Sequence, residues 1–191
     1  QKDRRGDLAR HHAKDVRTAH GEGKAGQLAH EIRAIRGHFD DISRKQISRL
    51  QDFKRIIRHL SNYKLNTYCL YIEDTLHLRS SPDIGCGRGK LMPGEVRAIV
   101  EEGRRHNVTV MPAFQLLGHY ENILAMDNYR HLAREVFQSP SSLDPSKPAV
   151  REFLANCIRE VCELFPSEYF CMGFDETQGV TEQAYLDHLH W

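Results

Sequence analysis

The sequence predicts an α/β protein in which parallel strands alternate with helices in about four β/α units. Apolar segments of strand length and amphipathic segments of helical length follow one another along the chain, an order typical of a parallel sheet. Acidic residues follow several of these strands. A closed eight-stranded barrel takes about 250 residues, whereas this chain has 191. The fold is therefore either an open α/β sheet or a partial barrel, the first half of an eight-stranded one.

The first two predicted units begin after a polar segment. Residues 1–26 are polar and glycine-rich and are interpreted as a lead-in or linker, and residues 27–191 as the folded domain. Apolar residues interrupted by arginines predict the first strand over Ile32–Phe39, with Asp40 and Asp41 in the loop after it. Apolar residues at helical spacing from Ile47 to Leu60 predict a helix over 48–63. A Tyr-, Leu- and Ile-rich run predicts the second strand over 65–72.

The later units carry clearer boundary signals. Pro93 at a first-turn position opens a helix that ends near His106, and the third strand covers 108–114, just before Gln115. Helices are predicted over 122–137, 150–165 and 181–190. The uncharged run Tyr169–Phe174 predicts a fourth strand that is covered on both faces. It leads directly into Asp175 and Glu176, two carboxylates that would be costly if buried without partners.

Composition excludes several classes of protein. Hydrophobic residues make up 40% of the chain and charged residues 28%, as in ordinary globular proteins. The net charge of +1 gives no reason to expect a nucleic-acid or membrane partner. No apolar run approaches the roughly 20 residues that span a bilayer. The five cysteines form an odd set without metal-site spacing, so they are expected to be small core residues in a cytoplasmic, reducing location, with no metal and no cofactor.

The candidate site lies where the predicted strands end. Asp40-Asp41, Glu73-Asp74, His119 and Asp175-Glu176 follow four successive strands, and the carboxyl ends of parallel strands meet at one rim. Several acids and one histidine around a cleft suit general acid catalysis, with one carboxyl held protonated while another is ionised. This favours sugar chemistry over acyl transfer, because no GxSxG motif occurs. Nucleotide-binding GxGxxG and Walker motifs are also missing from the sequence.

Four segments form a recognisable set: Arg36-Gly37 with Asp40-Asp41-Ile42-Ser43, Tyr63–Asn66 leading to Glu73-Asp74, Val110-Met111-Pro112 through Gly118-His119, and Leu164–Ser167 through Gly173-Phe174-Asp175-Glu176. Together they resemble the catalytic domain of family 20 glycoside hydrolases, the β-N-acetylhexosaminidases. The resemblance runs from about Ile35 to Gly179. It implies a (β/α) TIM-barrel-type fold, of which this chain is the N-terminal half, so four further β/α units would complete the barrel and its sugar site.

The resemblance also implies a retaining, substrate-assisted mechanism, one of the exceptions to the scheme with two catalytic carboxylates. Glu176 would be the general acid, and Asp175 would orient the 2-acetamido group of the sugar, whose oxygen attacks the anomeric carbon. His119 with Glu73 or Asp74 would form a polar relay that tunes Glu176. Arg36 would bind hydroxyls of the terminal sugar. The implied substrates are glycosides that end in N-acetylglucosamine or N-acetylgalactosamine.

Structural interpretations stand beside these roles. Asp175 and Glu176 could cap the next helix, Glu73 and Asp74 could form a solvated loop, and Arg36 could pair with Asp40 or Asp41. Tyr68 and Tyr71 are expected to be core residues. At the level of the whole chain, the alternatives are an inactive or incomplete barrel fragment that binds carbohydrate or acts as a scaffold, and an unrelated open α/β enzyme. A half barrel would need self-association or a C-terminal half.

Overall fold

The computed structural model describes residues 35–44, 46–135 and 139–191. The lead-in at 1–26 and residues 32–34 of the predicted first strand lie outside the described residues. The compact unit that carries the fold runs from Gly37 to Trp191. Its strands are β1 (Gly37–Asp41), β2 (Thr67–Ile72), β3 (Thr109–Gln115) and β4 (Cys171–Gly173).

The four strands form one sheet in the order β1-β2-β3-β4, and every neighbouring pair is parallel. The register aligns Asp41 with Tyr71, Ile72 with Phe114, and Gln115 with Gly173. A doubly wound sheet would reverse its strand order at a switch point, and this sheet does not within the described residues. The sequential order is that of a barrel sector, which confirms the predicted partial barrel.

The helices are α1 (Leu50–Asn62), α2 (Pro93–Arg105), α3 (Glu121–Leu124), α4 (Pro148–Leu164) and α5 (Glu182–Leu189), with a 3-10 helix at Arg130–Leu132. Proline occupies the first turn of both α2 and α4, where its missing N–H costs no hydrogen bond. The predicted helices over 48–63, 93–106, 150–165 and 181–190 are confirmed, with ends within two residues. No helix in the described part of the chain is long and apolar enough to cross a membrane.

The main core lies between the helices and one face of the sheet. Tyr68, Leu70 and Ile72 of β2 are fully buried there, together with Phe53 of α1 and Ile99 of α2. Glycine at position 103 lets α2 approach β3 closely, because a Cβ at this position would lie 2.5 Å from the carbonyl oxygen of Val108. An ion pair from Arg58 Nε to Glu102 Oε1, 2.7 Å long, joins α1 to α2.

The opposite face of the sheet, the inner face in a barrel, carries a small separate cluster of Cys69, Tyr71, Met111 and Ala113. Phe39 on the same face of β1 is 55% exposed. No helix of the described chain packs its apolar residues against this cluster. Parallel sheets are normally buried on both faces. In the described residues, the inner face lacks the covering layer that such a sheet normally has.

The first strand differs from the prediction. It begins at Gly37 and includes Asp40 and Asp41, which were expected in the following loop. The Tyr68 hydroxyl donates a hydrogen bond to Asp40, and Asp41 pairs with Arg44, 3.0 Å away. These partners allow two acids to lie at the end of an edge strand.

The predicted helix over 122–137 is wrong for most of its length. Only α3 and the 3-10 helix form, and residues 136–138 lie outside the described residues. The Tyr129 hydroxyl and the Asn128 amide both donate to Asp83 in the long loop after β2. Ala133 bridges Leu143 in an antiparallel pair. Contacts with residues distant in sequence therefore override the local helical spacing.

The fourth strand is shorter and more exposed than predicted. It has three residues, and Met172 is 58% exposed, because β4 has a neighbour on one side only within the described sheet. The expectation that this strand is covered on both faces is wrong for the described chain. Among the cysteines, Cys69 and Cys157 are buried as expected, whereas Cys86, Cys162 and Cys171 are exposed.

Candidate active site

The imidazole of His119 lies between carboxylates on two sides. Its Nδ1 is 3.6 Å from Glu73 Oε1, and its Nε2 is 3.4 Å from both Asp175 Oδ2 and Glu176 Oε2. The structure thus brings together four of the predicted site residues, contributed by the ends of β2, β3 and β4. Each nitrogen of the imidazole therefore has a carboxylate oxygen nearby.

The backbone that presents these side chains adopts unusual conformations. His119 and Glu176 both have positive φ, 60° and 51°, a region that is costly for residues other than glycine. At Gly118 a Cβ would lie 2.3 Å from the carbonyl oxygen of Asp175. The loop after β3 and the loop after β4 therefore touch through a glycine, which sets His119 against the Asp175-Glu176 pair. Backbone strain of this kind clusters at functional sites.

Glu73 is the buried acid of the site. Its side chain is 2% exposed and accepts from the Tyr71 hydroxyl at 3.0 Å, and Arg44 Nη1 lies 2.9 Å from Oε1. Burial raises the pKa of Glu73, while the Tyr71 hydrogen bond and the charges of Arg44 and His119 oppose that rise. The alternative interpretation, in which Glu73 lies in a solvated loop, is wrong because the side chain is buried.

Asp175 has the opposite electrostatic environment. Its Oδ1 accepts a 2.6 Å hydrogen bond from the side-chain amide of Gln115, and 61% of its side chain is exposed. The Gln115 hydrogen bond lowers the pKa of Asp175, and His119 adds to this effect. The Glu73 and Asp175 carboxyls thus have pKa values shifted in opposite directions, a pattern common to acid and base pairs in active sites.

Glu176 extends into solvent, with 78% of its side chain exposed. Neither Asp175 nor Glu176 caps a helix, since α5 begins only after Thr181, whose hydroxyl accepts from the N–H of Ala184. The helix-capping interpretation of the acid pair is therefore wrong. The open position of Glu176 leaves its carboxyl free to meet a ligand from the solvent side.

Asp74 is separated from this group although it follows Glu73 directly. Its side chain is buried, and Arg88 Nε lies 2.8 Å from Oδ2 as an ion pair without hydrogen-bond alignment. Burial raises the pKa of Asp74, and the charge of Arg88 opposes that rise. Asp74 fixes the loop after β2 rather than facing His119, so of the two predicted relay acids Glu73 is the one in contact.

Arg36 directly precedes β1, and its part in sugar binding stays a prediction. Asp40 accepts a hydrogen bond from the Tyr68 hydroxyl, and Asp41 pairs with Arg44. Arg44 also pairs with Glu73 and so links the end of the first strand to the site.

An open depression of about 440 Å³ lies beside these groups on the inner face of the sheet. Asp175, Tyr71 and Arg44 line it with Phe39 and Asp41 of β1. Its walls combine aromatic, charged and carboxylate side chains, the mixture that typically binds a polar ligand with apolar faces. No group of three or more metal-ligating side chains occurs among the described residues.

Three residues of the site were not identified from sequence: Arg44, Tyr71 and Gln115. Tyr71 was expected in the core; it is buried, yet its hydroxyl bonds Glu73 and accepts from Gln115 at 2.7 Å. Strand alternation was the available signal, because residues 71 and 73 face the same side of the sheet as 113 and 115. No local pattern indicated Arg44.

Comparison with known proteins places the chain in a family. Residues 34–188 match the family model described as the glycosyl hydrolase family 20 catalytic domain. A beta-hexosaminidase of Vibrio furnissii is 26% identical over 160 residues, which are 66% of this chain and 26% of that protein. A beta-N-acetylhexosaminidase of Cellulomonas fimi is 26% identical over 82% of this chain and 36% of its own length. Hexosaminidase D of Bos taurus is 31% identical over 49% of this chain and 28% of its own length.

Solved structures give the same fold. A Streptomyces plicatus N-acetyl-beta-hexosaminidase in complex with Thio-NAglucal superposes with a TM-score of 0.72 at 22% identity, over 82% of this chain and 36% of that one. An exo beta-N-acetylglucosaminidase from Vibrio harveyi gives a TM-score of 0.67 at 20% identity, over 82% and 30%. The chain therefore spans about a third of the length of the relatives it matches. Because the family model covers most of its residues, the chain belongs to glycosyl hydrolase family 20.

Proposed function

We propose that this chain is the N-terminal half of the catalytic barrel of an exo-acting β-N-acetylhexosaminidase. The observation that carries the proposal is the position of His119 between buried Glu73 and the Asp175-Glu176 pair, at the carboxyl ends of parallel strands. The relatives named above are hexosaminidases. We extend their substrate class, glycosides that end in N-acetylhexosamine, to the protein that contains this chain.

In the proposed reaction, Glu176 donates its proton to the glycosidic oxygen. The acetamido oxygen of the sugar forms a bond to the anomeric carbon while the bond to the leaving oxygen breaks, and an oxazolinium intermediate results. Asp175, held ionised, stabilises the positive charge that develops on the acetamido group. Water then adds to the anomeric carbon while the bond from that carbon to the acetamido oxygen breaks, and the water gives a proton to Glu176. The two displacements together retain the configuration.

Two substitutions test these roles in the protein at its natural length. Glu176→Gln is expected to abolish cleavage of glycosides with poor leaving groups, since these need a proton. Asp175→Asn is expected to lower turnover of 2-acetamido substrates by 10²-fold or more. Both are measured with 4-nitrophenyl N-acetylglucosaminide and a disaccharide. Unchanged turnover of the disaccharide by Glu176→Gln removes it as the acid, and equal hydrolysis of 2-acetamido and 2-hydroxy sugars argues against substrate assistance.

A second function has an observation in its favour. The exposed inner face and the open Glu176 suggest that residues 1–191 alone could bind carbohydrate or act as a scaffold without hydrolysing it. On this proposal the site is completed by self-association or by further β/α units. Size-exclusion chromatography combined with the nitrophenyl assay separates the two functions. An associated but inactive chain that retains N-acetylglucosamine would support the binding role.

A further inference from the structure

The side chain of Gln115 connects Asp175 to Glu73 through the Tyr71 hydroxyl. It is fully buried at the end of β3, and its Nε2 donates to Asp175 Oδ1 at 2.6 Å and to the Tyr71 hydroxyl oxygen at 2.7 Å. The Tyr71 hydroxyl uses its own hydrogen to reach Glu73 Oε1 at 3.0 Å. With His119, these groups form a closed ring of side chains around the site.

The direction of these hydrogen bonds requires an amide at position 115. An amide nitrogen carries two hydrogens, and both partners of Gln115 are acceptors here. A carboxyl group at this position could donate to one of them at most, and only while protonated. The hydrogen-bond partners therefore specify glutamine rather than glutamate, although the two side chains have almost the same shape.

The place of this amide is fixed by packing. Gln115 pairs in register with Gly173, and a Cβ at position 173 would lie 2.6 Å from the amide nitrogen of Gln115. Because Gly173 has no side chain, the amide of Gln115 can occupy the space beside it. Movement of Gln115 is restricted, so its N–H groups stay directed at Asp175 and Tyr71.

We propose that Gln115 is a positioning residue that fixes the orientation of Asp175 and holds it in its charged form. Its role in catalysis rests on the function proposed above, in which the Asp175 carboxylate supports the acetamido group. Gln115 then determines the lowest pH at which the enzyme is active, because a protonated Asp175 could not stabilise positive charge.

The charges around Asp175 agree with this role. The Gln115 hydrogen bond is the largest cause of the lowered pKa of Asp175, and the charge of His119 acts in the same direction. The other titratable groups near it are Tyr71, Glu176, and Asp41 and Arg44 in the same depression. Gln115 itself has no titratable group, so its hydrogen bond to Asp175 is available at every pH.

The test is Gln115→Glu in the protein at its natural length, with Gln115→Met as an isosteric variant that has no donors. We expect kcat/KM at the acid end of the pH profile to fall about tenfold or more, the factor for one hydrogen bond to a charged group. KM should change less than kcat. Gln51→Glu adds the same charge on the exposed surface of α1 and should leave the profile unchanged.

Carboxyl carbon-13 titration of Asp175, assigned with Asp175→Asn, gives a readout that needs no activity. Asp175 should take up its proton at higher pH in both Gln115 variants than in the wild type. An unchanged midpoint in a folded variant overturns the proposal, and Gln115→Met decides if the glutamate variant does not fold. If the wild type is inactive but the Gln115 variants still show the shifted midpoint, the proposed function is refuted and the positioning role of Gln115 is not.

Discussion

Single residues at this site adopt backbone conformations that their types disfavour. Glu176, at the centre of the proposed chemistry, has a φ of 51°, and its side chain is 78% exposed, so burial does not offset the strain. A left-handed conformation costs a non-glycine residue roughly 1–2 kcal/mol. The left-handed conformation of Glu176 therefore lowers the stability of the fold, and it sets the direction in which the carboxyl points.

This strain predicts the relative stability of two variants. Glu176→Gly is expected to be more stable than Glu176→Ala by about 1 kcal/mol, because glycine tolerates positive φ. Urea unfolding measures the difference. The same pair at Glu152, an exposed position within α4, should show the reverse order, since glycine weakens a helix interior. Equal stability of the two position-176 variants would show that no strain is stored there.

Charge burial at Asp74 gives a pH dependence. The folded-state pKa of Asp74 is raised by burial, so its contribution to stability is complete below the unfolded pKa and is lost as pH rises through the folded value. Asp74→Asn should therefore gain stability relative to wild type as the pH is raised from the acid range to neutrality. Asp127→Asn on the surface is the control. A stability difference that does not change with pH would contradict this prediction.

Among the elements, helix α2 approaches the sheet closely at Gly103. Gly103 faces the carbonyl of Val108 and a Val110 methyl group, which would lie 2.5 and 2.7 Å from an added Cβ. Gly94 in the first turn of the same helix has no atom within 4 Å of that position. The two glycines of one helix therefore have different functions.

Alanine at each position tests this difference. Gly103→Ala is expected to lower the free energy of unfolding by about 1–3 kcal/mol, the usual cost of overpacking. Gly94→Ala should leave it unchanged or raise it by less than about 1 kcal/mol. Both are measured by urea unfolding monitored by circular dichroism. If the two variants have the same stability, α2 does not depend on its close approach to β3.

The elements also show which features could be predicted. The apolar stripe of α1 and the prolines of α2 and α4 are local signals, and they predicted those helices within two residues. The helix predicted after Asn122 is wrong because Asn128 and Tyr129 bind Asp83, which lies 45 and 46 residues away in sequence. Strand alternation is a local signal that puts Gln115 on the same side of β3 as Ala113, whereas its hydrogen bond to Asp175 depends on the packing of β4 against β3.

At the scale of the whole molecule, the inner face of the sheet is the unusual surface. Cys69 and Tyr71 form a small cluster there, and Phe39 beside them is 55% exposed. The strand order is that of a barrel sector, in which this face would point inward. The described residues therefore leave apolar surface open on the side of the candidate site.

Association of the 191-residue chain should depend on this surface. Light scattering is expected to show an average mass that rises with concentration, and Phe39→Glu should lower that mass at a given concentration. Tyr63→Glu provides the matched control, because Tyr63 is 77% exposed and follows α1. A monomer at all concentrations, or equal effects of both variants, would exclude association through the inner face.

The contact between the loops after β3 and β4 has a consequence for protein engineering. Gly118 touches the carbonyl of Asp175, Leu116 N–H donates to Gly173 O at 2.9 Å, and Arg134 Nε donates to Gly179 O at 2.8 Å. A chimera that exchanges only one of these loops with a related chain would separate these partners. Loop exchanges should therefore transfer residues 116–144 and 173–179 as one unit.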